Sequence, residues 1–125
     1  MITRDFILRQ ISQLAQALAR VLFKKQAKEY VEAQEILASE LKRVFGMDLE
    51  QIHTLDLEDL LALCRSGDGT SAEMALILAD LLREDASPAG RQQAVWLYET
   101  ALAAGGPVPL DVHERINTLR ETLKD

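Results

Sequence analysis

The stretch from Arg4 to Lys28, RDFILRQISQLAQALARVLFKKQAK, carries Ile7, Ile11, Leu14, Leu18 and Val21 at spacings of four and three. That interval brings successive side chains back to one side of a 3.6-residue turn, so it predicts a long amphipathic helix from about Thr3 to Lys28. Leu8, Ala15, Ala19, Leu22 and Phe23 widen the apolar arc beyond a single seam. An arc of that width predicts burial against more than one neighbour. On the opposite side, Arg9, Gln13, Gln16, Arg20 and Lys24 line up as one polar strip. It reads as a solvated face, or as a docking strip for an acidic partner or an acidic neighbouring helix.

The same periodicity continues outward from this helix. Tyr30, Ala33, Leu37, Leu41 and Val44 predict a second helix, with Gly46 just past its end where a left-handed residue is wanted. Met47 to Thr54 reads as a connector or one short turn. Asp56 and Asp59 then supply the acidic first turn of a third helix, expected to bury Leu57, Leu60, Leu61 and Cys64 and to stop at Ser66-Gly67-Asp68-Gly69. Thr70 and Glu73 form a capping-box pair ahead of Met74, Ile77, Leu78, Leu81 and Leu82. Ser87 and Pro88 open a fifth helix with Ala94, Tyr98 and Ala101 on one face, and Gly105 and Gly106 close it. Past Pro107 and Pro109, Val112, Ile116, Leu119 and Leu123 predict a last helix. Apolar and polar residues nowhere alternate as in a half-buried strand. The expected class is therefore all-α, an array of five to six helices in antiparallel hairpins packed in a repeat-like manner, forming a single domain over residues 1–125.

Composition narrows the function classes. The chain has 125 residues, 48% of them hydrophobic and 27% charged, with a net charge of -6. That balance suits a globular domain and gives nucleic acid no global electrostatic attraction. No uncharged run approaches the roughly 18 residues of a spanning helix. The mixed, charged start from Met1 to Arg9 lacks a signal peptide's apolar region, and the lone Cys64 has no disulfide partner, so a cytoplasmic protein is expected. Charge is polarised along the chain. Six cations face only Asp5 in residues 1–28, whereas residues 29–64 hold nine acids against Lys42 and Arg43.

Catalytic and metal chemistry find little support. His53 and His113 lack second ligands at helical or turn spacing and read as solvated or helix-capping. Asp56, Glu58 and Asp59 are explained by the helix start they occupy. Asp68, Gly69 and Thr70 lack the ligand ladder of a calcium loop, and Gly67 and Gly69 lack the lysine of a phosphate cradle. Cys64, at an apolar helical position, reads as a buried structural thiol. No cofactor or metal is expected. Trp96 points away from Ala94, Tyr98 and Ala101, so helix 5 is either sandwiched between two neighbours or leaves an aromatic for a partner.

Tyr30, Ala33, Leu37, Leu41 and Ala94, Tyr98, Ala101, Leu102 echo each other in outline, and the second set looks like the B helix of a tetratricopeptide repeat. Aromatic and alanine come in opposite order in the two sets, so that repeat's groove residues are not carried over. More broadly, Arg4 to Ile7, Arg9, Ile11, Leu18, Ala19, Leu22, Phe23, Lys25, Tyr30, Glu32, Ala33 and then Leu55, Asp56, Glu58, Asp59, Leu60 and Leu61 resemble a small bacterial family of unknown function with repeat-like helical hairpins. The resemblance implies a bacterial cytosolic protein and no particular activity. The expected role is a non-enzymatic protein or peptide interaction module, with Arg9, Gln13, Gln16, Arg20, Lys24 and Trp96 as partner-binding residues. The alternatives are a structural homodimer or, third, a small-ligand-binding protein. Neither nucleic acid nor membrane is an expected partner.

Overall fold

A computed structural model describes residues 4–66 and 69–124 of the chain. Among these it has seven α-helices: α1 Arg4–Gln26, α2 Tyr30–Phe45, α3 Leu49–His53, α4 Leu57–Leu63, α5 Ala72–Leu82, α6 Pro88–Ala103 and α7 Val112–Thr122. A two-residue ladder, β1 Arg65–Ser66 with β2 Gly69–Thr70, pairs antiparallel between α4 and α5. The all-helical class holds. The count exceeds five to six because the expected connector at 47–54 contains α3, where Gln51 Oε1 accepts from the backbone N–H of Asp48 and secures the first turn.

Caps explain several boundaries. Asp56, Ser71 and Ser87 accept from the backbone N–H groups of Asp59, Met74 and Ala89, each satisfying a donor that the first turn would otherwise orphan. The cap of α5 is thus Ser71 and not Thr70, which belongs to β2. Gly46, at φ 73, closes α2 as expected. Helix α1 stops at Gln26, before the expected Lys28, because Lys28 itself turns left-handed at φ 62. The expected start at Thr3, and the Gly67 and Asp68 of the expected stop, lie outside the described residues.

Packing runs through the chain as a series of neighbours. α2 packs on α1, α1 on α5, α5 on α6 and α6 on α7, with α3 and α4 packed on α6. One core joins them, including Leu14, Leu37, Ile52, Leu60, Leu78, Leu97 and Tyr98. Two expectations about this core fail. Leu57 lies on the outside of α4, leaving Leu60 and Cys64 to bury it. On α1, Ile7, Leu14, Ala17 and Val21 are buried, but Leu8, Ala15, Ala19, Leu22 and Phe23 are exposed. α2 and α5 are its two principal neighbours, so α1 does pack against more than one element, but they leave those five residues exposed.

Candidate functional site

The outward side of α1 follows directly from its sequence. Leu8, Ser12, Ala15, Ala19, Leu22 and Gln26 succeed one another at spacings of four and three, and all six are exposed. Over about 27 Å of helix this stripe carries no charge. Leucines stand near its two ends, and small side chains between them leave room for a second backbone to approach closely. Phe23, 68% exposed, borders the stripe.

Beside Leu22 the stripe opens into a cleft of about 260 Å³ lined by Leu18 and Leu22 of α1, Asp80, Arg83 and Glu84 at the end of α5, and Arg115 of α7. Its polar wall is tightly organised. Arg115 grips Asp111 with two nitrogens, at 3.0 and 3.1 Å, and reaches Asp80 at 2.9 Å. The Tyr98 hydroxyl, from α6, donates to the same Asp80 oxygen. Burial and the Asp80 carboxylate together push the Tyr98 phenol well above its ordinary pKa, while the Arg115 hydrogen bonds hold Asp111 below the usual carboxylate value. Glu84 is engaged by Lys25 of α1 at 3.1 Å. Arg83 differs from all of these. It is half-buried, within electrostatic range of Asp111 and Tyr98, and makes no side-chain hydrogen bond or ion pair among the described residues.

The expected polar strip lies on another side of α1, along the seam with α2. Arg20 meets the buried Glu40 at 2.9 Å, and Lys24 meets Glu29 and Glu32 at 2.9 and 2.8 Å. The acidic segment that polarises the sequence therefore includes the neighbouring helix of the same chain. Gln13 and Gln16 share a shallow depression with Arg20, Glu40 and Arg43, and Arg9 remains exposed beside Phe6 and Gln10. The five are spread along α1 and do not converge on one pocket. Trp96 stands apart from them on α6, partly buried against the core.

A second polar centre was not legible beforehand. Asp85, in the turn between α5 and α6, is buried, and its Oδ1 accepts from Gln34 Nε2 and the Ser87 backbone N–H while Oδ2 lies 2.6 Å from His53 Nε2. His53 is thus neither solvated nor a helix cap, as its position in a connector had suggested, but a tie between α3 and the α5–α6 turn. Gln93 of α6 adds hydrogen bonds to the Ile52 and Leu55 carbonyls, at 2.6 and 3.1 Å. These hydrogen bonds link α2, α3, the α5–α6 turn and α6. Burial pushes the Cys64 thiol up to about 12, which keeps it protonated and poorly nucleophilic. No group of three His, Cys, Asp or Glu side chains that could hold a metal stands together among the described residues.

With this geometry in hand, the sequence can be placed among known proteins. The pattern that defines a family of unknown function, DUF6483, matches residues 1–102. The chain belongs to that family. No curated protein and no solved structure matches it. The match takes in the whole α1 stripe, Asp80, Arg83 and Tyr98, and stops before Asp111 and Arg115. No described helix is long and apolar enough to cross a membrane.

Proposed function

We propose that this member of DUF6483 is a non-enzymatic, protein-binding module of the bacterial cytoplasm, built from repeat-like helical hairpins that hold a partner against α1. The observation that carries this reading is the exposed, uncharged stripe from Leu8 to Gln26. Soluble proteins seldom leave a long apolar helix face in water unless something covers it. Its spacing of four and three is the repeat that a partner helix would present in return. Arg9, Gln13, Gln16, Arg20 and Lys24 flank the opposite edge and Trp96 lies on a separate layer, so in this reading they tune or extend the contact. The stripe is its centre.

A peptide library selected on the full chain tests this directly. Sequences with apolar residues at the same repeat should be enriched on the wild-type protein and lost on Ala15→Arg, which puts bulk and charge in the middle of an exposed face. Failure to enrich any such sequence, or equal recovery on both proteins, would contradict the proposal.

A second reading, a homodimer, is favoured by one feature. Leu8 and Leu22 lie seven residues on either side of Ala15, so two α1 helices crossing antiparallel at Ala15 would bring each leucine against its counterpart. Light scattering over a concentration series separates the two. A mass of 14.0 kDa fits a free binding face, and twice that mass fits the dimer.

A further inference from the structure

Resting on the docking face just proposed, we infer that its partner is an amphipathic helix carrying a carboxylate at the end of its apolar seam, and that Arg83 receives that carboxylate. Four observations lead there. The α1 stripe runs without interruption into the cleft, because Leu22 belongs to both. Leu18 and Leu22 give the cleft an aliphatic wall against which the stem of a glutamate or aspartate side chain can lie. The other charges bordering Arg83 are occupied: Asp80 by Tyr98 and Arg115, Asp111 by Arg115, and Glu84 by Lys25. Among the described residues Arg83 alone of these groups is without an ion-pair partner, and a half-buried guanidinium is stabilised by a carboxylate that fills its fork of donors.

The chain's net charge of -6 works in the opposite direction at long range. A diffusely acidic peptide is therefore disfavoured, and a single carboxylate placed one turn beyond an apolar anchor is selected. This is recognition by position, with the apolar seam supplying contact area and Arg83 fixing which end of the helix enters the cleft.

Fluorescence anisotropy with three labelled synthetic helices tests it on the full chain. All carry leucines at the repeat of the stripe and differ only in having glutamate, glutamine or lysine one turn outside the leucines at both ends. The glutamate helix should bind roughly fivefold more tightly than the glutamine helix, a ratio suited to a partly exposed ion pair, and the lysine helix most weakly. Arg83→Gln should erase the difference between glutamate and glutamine, whereas Arg65→Gln, at an exposed arginine outside both the stripe and the cleft, should preserve it. The Arg83 side chain makes no hydrogen bond among the described residues, so its variant should keep the wild-type circular dichroism. Equal binding of all three helices overturns the Arg83 assignment and leaves the docking face standing. A glutamate preference that survives Arg83→Gln overturns it equally. Absence of binding by every helix overturns both readings. A doubled chain mass that returns to a single one in Arg83→Gln overturns it in favour of a second copy.

Discussion

Lys28 shows how one residue sets the first hairpin. Its backbone N–H bonds to the Lys25 carbonyl and that of Glu29 to the Lys24 carbonyl, a helix stop that requires a left-handed residue at position 28. Lysine adopts that conformation at a cost of about 1 kcal/mol that glycine avoids. Lys28→Gly should therefore raise stability by roughly 0.5–1 kcal/mol in urea unfolding, and a loss would contradict this account of the turn. Because the stop carries neither glycine nor proline, the chain placed the end of α1 only to within two residues, at Lys28 and not Gln26. The end of α2 at Gly46 could be read directly. Gly90 makes the complementary point. A Cβ there would lie 2.8 Å from the Asp85 Cβ and closer still to its carboxylate, so α6 tolerates only glycine beside the buried acid. Alanine normally favours a helix over glycine by about 1 kcal/mol, yet Gly90→Ala should cost roughly 1–2 kcal/mol, because overpacking outweighs propensity. A gain in stability would show that Asp85 moves freely. Nothing in local spacing announces that contact, since His53 and Gln34 reach Asp85 across 32 and 51 residues.

Among the elements, α1 gives the sharpest test of how burial divides a helix. Leu14 is buried completely and Leu8 is 40% exposed, although both belong to one broad apolar arc in the sequence. Leu14→Ala should cost about 2–5 kcal/mol and Leu8→Ala less than about 0.5 kcal/mol. Similar costs at both positions would mean that the stripe is covered within the molecule. Periodicity located the helix and its inner seam correctly, but the width of an arc does not reveal how many neighbours will cover it. That depends on where α5 and α7 fall in space. The end of α4 offers a chemical test. Burial raises the Cys64 thiol to about 12, so the fold favours the protonated form; its contribution to stability is complete below the unfolded thiol value near 9 and declines as pH rises towards 12. Native protein at pH 8 should accordingly react with a thiol reagent far more slowly than protein unfolded in urea. Equal rates would place Cys64 at the surface.

At the scale of the whole molecule, charge and packing divide the labour. The basic first helix and the acidic segment after it satisfy each other in the α1–α2 seam, through Arg20 with Glu40 and Lys24 with Glu29 and Glu32. Charge asymmetry in the sequence thus serves a contact within the chain as well as any contact outside it. Within the cleft, among the described residues, what remains unmatched is the guanidinium of Arg83, beside the neutral face of α1. The five residues of the strip were legible because they share one helix. Arg83 was not, because its isolation exists only once Asp80, Arg115 and Lys25 have chosen their partners in three dimensions. The measurement that bears most directly on the central claim is a titration of isotope-labelled protein with the unlabelled glutamate-ended helix, followed by amide chemical shifts. The account predicts that the largest changes fall on Leu8, Ser12, Ala15, Ala19 and Leu22 and on Arg83. Changes confined to α2, α6 or the Arg9 to Lys24 strip, with the α1 stripe silent, would contradict it.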